Sequence, residues 1–221
     1  MKVLLTHSRG KLEGLEPTLR KLNLNVVHRP AIKVDFLNSP QTLAKAKELL
    51  KLPWLFFSSR NAIEAWHVFG LPFKNKIAVV GKASAKALAQ YQKSADLIAE
   101  PQNAKGLLSK FLKSKDKACP VGVLKGNKSL QILENGLAEN NCEPQSLVIY
   151  QTETLTINET ADIVVLASPS AVAALPDKLA QAKLLAIGPS TAKAIREKGW
   201  SCQTATSPNT KSIVNTLERM I

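Results

Sequence analysis

Four short turns combine glycine, serine and threonine in a pattern that suits the binding of anions. Each turn follows an apolar run of strand type and precedes a helical pattern. Serine and threonine cap helices, and glycine permits a tight turn and close backbone approach. The free amides and the dipole at a helix N-terminus attract carboxylates and phosphates, although the same residues also cap ordinary helices. The turns are residues 58–61, 81–84, 168–170 and 188–191.

Two further loops add cationic side chains at similar places. Residues 124–128 join a strand pattern to a helix and include Lys125 and Lys128, and residues 6–11 include Arg9. Arginine binds a carboxylate through two parallel hydrogen bonds. A solvated basic loop is the alternative interpretation of both.

Familiar catalytic and nucleotide-binding motifs are missing from the sequence. It has no GxxxxGK[ST], GxGxxG or GxSxG pattern, and the three histidines have no convincing triad partner. Tyr150 ends a strand pattern at a predicted crossing between domains, where its phenol could donate a proton to a substrate. A tyrosine in this position is also typical of a core or an interface.

The charge of the chain favours anionic partners. The chain has 30 Lys and Arg residues and 17 Asp and Glu residues, which gives a formal net charge of +13. Nucleic acid, an acidic membrane or a substrate with several carboxylates would each suit this balance, as would a merely soluble basic surface. Nucleic acid is disfavoured because the basic residues are scattered, aromatic residues make up 5%, and no helix-turn-helix or RNP pattern occurs.

Cysteine usage and apolar runs indicate a cytoplasmic protein without a metal site. Cys119, Cys142 and Cys202 are odd in number and far apart, and none has a cysteine or histidine at metal-binding spacing. We predict three free thiols in a reducing compartment. The N-terminus lacks the apolar core of a signal peptide, and no run approaches the ~20 residues of a membrane span.

An internal repeat organises the chain. Short apolar strand patterns alternate with amphipathic helices, which predicts parallel sheets. Residues 55–63 parallel 164–172, residues 78–88 parallel 185–195, and residues 3–22 weakly parallel 121–137. The order of these parts allows two consecutive domains or one domain inserted into the other. We prefer the insertion, with residues 1–33 and 153–221 as domain 1 and 37–148 as domain 2, because both domains then contain the same parts in circularly related order.

These motifs together resemble the uroporphyrinogen-III synthase family over nearly the whole chain. The resemblance implies an α/β fold of two similar flavodoxin-like parallel-sheet domains, one inserted in the other, joined by a two-stranded β-ladder at residues 30–36 and 147–154. The segments that carry the resemblance are residues 57–62, 80–85, 126–128, 150–152, 168–170, 186–192 and 205–210.

The resemblance also implies the reaction and the site. Hydroxymethylbilane would lose its terminal hydroxyl and close with inversion of ring D, without metal or cofactor, while its carboxylates are held in the interdomain cleft. Tyr150 is then the candidate acid. Lys128 stands where many members have arginine, so it would bind a carboxylate as a point charge. The implied substrate-binding residues are Arg9, Ser58, Ser59, Ser84, Gly126, Asn127, Lys128, Ser168, Ser170, Gly188, Ser190 and Thr191.

The implied partner is this small-molecule substrate, with neither nucleic acid nor membrane. We expect a monomer, with a transient contact to the preceding enzyme of the pathway. The alternative function is a non-catalytic two-domain binding protein for an anionic metabolite, because the predicted site contains few groups that do chemistry.

Overall fold

The computed structural model of the chain describes residues 1–8, 12–114 and 117–221. The chain divides into two compact units, residues 1–33 with 153–221 (unit 1) and residues 34–152 (unit 2). Each unit has its own sheet with parallel strand pairs and helices. The predicted α/β class with two parallel sheets is therefore confirmed.

The secondary structure alternates strands and helices along the chain. The strands are β1 (Lys2–Leu5), β2 (Asn25–His28), β3 (Ile32–Phe36), β4 (Trp54–Phe57), β5 (Lys76–Val79), β6 (Leu97–Ile98), β7 (Val121–Gly126), β8 (Pro144–Thr154), β9 (Ile163–Leu166), β10 (Lys183–Ala186) and β11 (Gln203–Thr204). The helices are α1 (Leu15–Lys21), α2 (Pro40–Leu49), α3 (Arg60–Val68), α4 (Lys82–Ala89), α5 (Ala104–Leu112), α6 (Ile132–Ala138), α7 (Pro169–Ala174), α8 (Pro189–Glu197) and α9 (Thr210–Glu218), with a short 3₁₀ helix at Asp177–Leu179.

Unit 1 is built on the sheet β11-β10-β9-β1-β2, whose neighbouring strands all pair in parallel. Both faces of this sheet are buried, so its strands are continuously apolar. Val3 and Leu5 pack with α1 and α9 on one face. Leu4 and Val164 pack with α7 and α8 on the other.

Unit 2 is built on the sheet β3-β8-β7-β4-β5-β6, in which β4 to β8 pair in parallel. Leu55 and Phe57 belong to the core on the side of α2, α3 and α4. Trp54 and Phe56 belong to the core on the side of α5 and α6. Burying a side chain of this size stabilises the fold by about 1.5–3 kcal/mol.

The strand orders of the two units are circularly related. Numbered along the chain, the strands of unit 1 have the order 2-1-3-4-5, which is flavodoxin-like. The parallel strands of unit 2 give the same order when the numbering starts at β7 and continues from β8 to β4. β7 in unit 2 therefore corresponds to β1 in unit 1, and β4 corresponds to β9.

Strands β3 and β8 are neighbours at one edge of the second sheet. The amide of Leu37 donates to the carbonyl of Ile149 at 3.0 Å, and the amide of Leu155 donates to the carbonyl of Ala31 at 2.9 Å. Rising residue numbers on one strand meet falling numbers on the other, so this pair is antiparallel. The boundaries between the units fall within these two strands.

The prediction of three free thiols is wrong for two of the cysteines. Cys119 and Cys142 form a disulfide with a Cα–Cα distance of 5.4 Å, and Cys202 is free. Cys119 lies just before β7 and Cys142 just before β8, and the pairing of Val121 with Pro144 brings these strand starts together. The spacing of the cysteines in sequence does not reveal this proximity. Among the described residues, no helix is long and apolar enough to cross a membrane.

Candidate functional site

Each unit has one point where successive strand connections run in opposite directions along the sheet. In unit 2 this point lies between β4 and β7, and in unit 1 it lies between β1 and β9. Loops at the carboxyl ends of the flanking strands part here, which leaves a crevice where open α/β sheets bind ligands. Residues 58–59 and 125–126 lie at the crevice of unit 2, and residues 6–7 and 167–168 lie at that of unit 1.

Tyr150 and Ser59 meet at the crevice of unit 2. The Ser59 hydroxyl donates to the Tyr150 hydroxyl at 2.9 Å, and Tyr150 is 8% exposed. The ring lies against the backbone of Gly126, where a Cβ would be 2.4 Å from Cζ and 2.7 Å from the phenol oxygen. Glycine is therefore required at position 126 because the tyrosine ring occupies the space of a side chain. The structure brings these three predicted site residues together.

Asn127 and Lys128 follow Gly126 in the same loop. The Asn127 amide donates to the Tyr150 carbonyl at 3.1 Å, and the Asn127 side-chain oxygen accepts from the Thr152 amide at 2.9 Å. Both groups of Asn127 therefore hold the loop against β8, and Lys128 is exposed beside it. The main-chain amide of Asn127 is therefore already engaged within unit 2.

Lys125 and Glu134 form a buried ion pair. The expectation that Lys125 adds a cationic side chain to an anion-binding loop is therefore wrong, because Lys125 lies within β7 and its charge is already paired. Their side chains are 10% and 12% exposed, and Lys125 Nζ binds Glu134 Oε1. Together with Ser58 they line a cavity of about 210 Å³, and the buried Ser58 hydroxyl has no hydrogen-bond partner among the described residues. The signal for this pair in the sequence was a lysine within the apolar run of β7, because a buried lysine needs a partner of opposite charge.

The α7 turn in unit 1 pairs one capping serine with one exposed serine. The Ser168 hydroxyl caps α7 by accepting from the Ala171 amide at 3.1 Å, and Ser170 is exposed.

The α8 turn in unit 1 starts at Gly188. Ser190 is exposed and Thr191 is 4% exposed. Gly188 has an extended backbone (φ −176°), and a Cβ there would meet nothing within 4 Å. Glycine is thus not required by backbone conformation, and the space before the first turn of α8 is open.

The remaining predicted positions are Ser84 and Arg9. Ser84 occupies the third position of α4 and is 6% exposed, so its side chain faces the protein interior. Arg9 lies outside the described residues.

Two histidines lie at the carboxyl ends of β1 and β2. The rings of His7 and His28 are 4.3 Å apart, and His28 Nε2 lies 2.7 Å from the His7 carbonyl oxygen. His28 Nδ1 is 3.7 Å from Glu16 Oε2. The pKa of Glu16 is lowered, first by its hydrogen bond from Arg20 and then by nearby positive charge. The sequence suggested no partner for either histidine, since this contact depends on the pairing of β1 with β2.

Among the residues that the structure describes, no group of three or more His, Cys, Asp or Glu side chains could hold a metal ion. The described part of the site offers amides, hydroxyls, a phenol and lysines. Such groups bind anions and exchange protons.

Comparison with known proteins gives a consistent result. A family model described as uroporphyrinogen-III synthase HemD matches residues 13–215. A mutant uroporphyrinogen III synthase from the extremely thermophilic bacterium Thermus thermophilus matches with a TM-score of 0.75 and 18% identity over 99% of this chain and 98% of that chain. A uroporphyrinogen-III synthetase from Helicobacter pylori matches with a TM-score of 0.54 and 16% identity over 100% and 99% of the two chains. A search of curated proteins found no match.

Proposed function

This chain belongs to the uroporphyrinogen-III synthase family, and we propose that it closes hydroxymethylbilane to uroporphyrinogen III with Tyr150 as the acid. The observation that supports this assignment is the phenol at the crevice of unit 2, held by Ser59 on one side and Gly126 on the other. A fixed acid of this kind accelerates loss of a hydroxyl group because the leaving oxygen needs a proton.

The proposed first step transfers the phenol proton to the terminal hydroxyl of the substrate. The carbon–oxygen bond breaks, water leaves with both electrons of that bond, and an azafulvenium cation remains on the substrate. The phenolate recovers a proton after ring closure, when the substituted pyrrole carbon loses its own. The protein then has to favour the closure that inverts ring D over direct closure, through the shape and charge of its site.

The proposed role of the remaining predicted residues is to bind the carboxylates of the substrate. We propose that turn amides and hydroxyls bind them at Ser58, Ser168, Ser170, Gly188, Ser190 and Thr191, with Gly126, Asn127, Lys128 and Arg9. Ser84 would contribute its backbone amide, because its side chain faces the interior. The open space before α8 and the net charge of +13 support this proposal. The expectation that the substrate lies in a cleft between the domains stays a prediction.

The decisive experiment supplies hydroxymethylbilane to the purified protein and separates the product isomers. We expect the type III isomer. A non-catalytic binding protein, the alternative function, would leave the bilane to close spontaneously to the type I isomer, and that result would refute the proposal. Family membership favours the enzyme over this alternative.

A monomeric state, a transient contact with the preceding enzyme and a cytoplasmic location remain proposals. The Cys119–Cys142 disulfide weighs against the last, since disulfides are rare in a reducing cytosol. In that compartment we expect the two thiols to be reduced.

A further inference from the structure

We propose that Ser59 is a positioning residue that sets the direction of the Tyr150 proton, an inference that rests on the proposed function of Tyr150 as the acid. The Ala62 amide is 3.3 Å from Ser59 Oγ, and Ser59 Oγ is 2.9 Å from the Tyr150 hydroxyl oxygen. These three groups form a chain of hydrogen bonds from the first turn of α3 to the phenol.

The donors and acceptors of this chain follow from its chemistry. A backbone N–H can only donate, so Ser59 Oγ accepts from Ala62. The serine hydroxyl has one proton, and among the described residues the phenol oxygen is its acceptor. The Tyr150 proton then has no acceptor among those residues and is available to the hydroxyl group of the substrate.

The same chain stabilises the phenolate that forms when the proton leaves. The Ser59 hydroxyl keeps donating to the oxygen as its charge becomes negative, and hydrogen bonds to charged groups are stronger than neutral ones. Ser59 is also the N-cap of α3, so the positive end of this helix dipole polarises the hydroxyl in the favourable direction.

The internal repeat separates this role from ordinary helix capping. Ser168 occupies the matching position in unit 1 and caps α7 through Ala171, as Ser59 caps α3 through Ala62. The bond to a phenol is specific to Ser59 among these two serines. The sequence predicted both serines as substrate-binding residues, and the geometry points to a different task for Ser59.

A kinetic test compares three variants in the intact protein. Ser59→Ala should lower kcat by about 10- to 100-fold, the equivalent of losing a hydrogen bond to a charged group, with little change in KM. Ser59→Thr keeps the hydroxyl and should retain most of the activity. Ser39→Ala is the matched control, because Ser39 caps α2 in the same unit through the Thr42 amide at 3.2 Å. A loss of kcat in Ser39→Ala equal to that in Ser59→Ala would overturn the proposal.

A spectroscopic test needs no substrate. The chain has two tyrosines, so in a Tyr91→Phe background the tyrosine absorption band in the near ultraviolet reports Tyr150 alone. Adding Ser59→Ala removes the hydrogen bond to the phenol and should shift this band, whereas adding Ser39→Ala should not. An unchanged band in Ser59→Ala would overturn the inference even if Tyr150 proves essential. Full activity of Tyr150→Phe would instead refute the acid role and leave the spectroscopic result intact.

Discussion

Tyr150 is the residue on which the proposed chemistry depends. Replacing it by phenylalanine keeps the ring against Gly126 and removes the proton donor. We expect Tyr150→Phe to lose about 10- to 10⁴-fold in kcat, the range of general acid catalysis, with a thermal stability close to that of the parent. The type III product formed per unit time measures this change. A fully active variant would remove Tyr150 from the mechanism without affecting the fold or the family assignment.

Gly126 leaves the space that the Tyr150 ring occupies. A methyl group at this position would overlap the Tyr150 ring, because a Cβ there lies 2.4–2.7 Å from Cζ, Cε2 and the hydroxyl oxygen. Gly126→Ala should therefore displace the phenol and lower kcat at least tenfold, with a loss of about 1–3 kcal/mol in unfolding free energy.

Gly122 provides the matched control for this variant. It lies on the same strand, and a Cβ there would meet the Leu55 side chain at 2.6 Å, away from Tyr150. Gly122→Ala should lose stability but keep its kcat. Equal losses of kcat in the two variants would mean that overpacking of β7, and not the phenol position, limits activity.

At the scale of elements, the Lys125–Glu134 pair connects the end of β7 to α6. Both side chains are about nine-tenths buried, so solvent screens their attraction poorly. Removing one partner of such a pair leaves an unpaired charge buried away from water and lowers the unfolding free energy by about 3–5 kcal/mol. Glu134→Leu should thus lower the unfolding free energy measured in urea by about 3 kcal/mol.

A double variant distinguishes the cost of an unpaired buried charge from the cost of lost packing. Lys125→Met combined with Glu134→Leu should recover most of the stability lost in Glu134→Leu, because no charge is left buried. If the losses of unfolding free energy in Lys125→Met and Glu134→Leu simply add in the double variant, the two side chains do not stabilise the fold as an ion pair.

At the scale of the whole molecule, the disulfide restricts the unfolded chain. Cys119 and Cys142 are 23 positions apart, and closing a loop of this length stabilises a protein by about 3 kcal/mol in the chain-entropy model. In urea unfolding, a thiol reductant should therefore lower the unfolding free energy by about 3 kcal/mol. The reductant should have the same effect on Cys202→Ser, because Cys202 is not part of the disulfide. After purification under oxidising conditions, the unfolded protein should present one free thiol, and three free thiols under those conditions would contradict the disulfide.

The net charge of +13 makes a further prediction at this scale. Raising salt from about 0.1 M to about 1 M shortens the Debye length from about 10 Å to about 3 Å, so KM for the polycarboxylate substrate should rise several-fold. Lys128→Gln should weaken this salt dependence. Lys45→Gln removes an equal charge from the exposed face of α2 and should leave the dependence unchanged. A KM independent of salt would contradict electrostatic binding of the carboxylates.

The α/β class and the family could both be predicted from the amino-acid sequence. Apolar runs without alternation predict strands buried on both faces, and both sheets have that property in Val3–Leu5 and Trp54–Phe57. Ser59 and Gly126 could be selected from the sequence because turns between strands and helices have recognisable residue types, and Tyr150 could be selected because the family resemblance implies an acid at this position.

Contacts between side chains that are distant in sequence could be identified only from the three-dimensional fold. Ser59 and Tyr150 are 91 positions apart, and their hydrogen bond depends on the order in which β4, β7 and β8 lie side by side. The Cys119–Cys142 disulfide and the Lys125–Glu134 pair depend on the same kind of proximity. Local pattern encodes whether a residue faces a core, whereas a contact between distant residues is set by strand order and register, which local pattern does not contain.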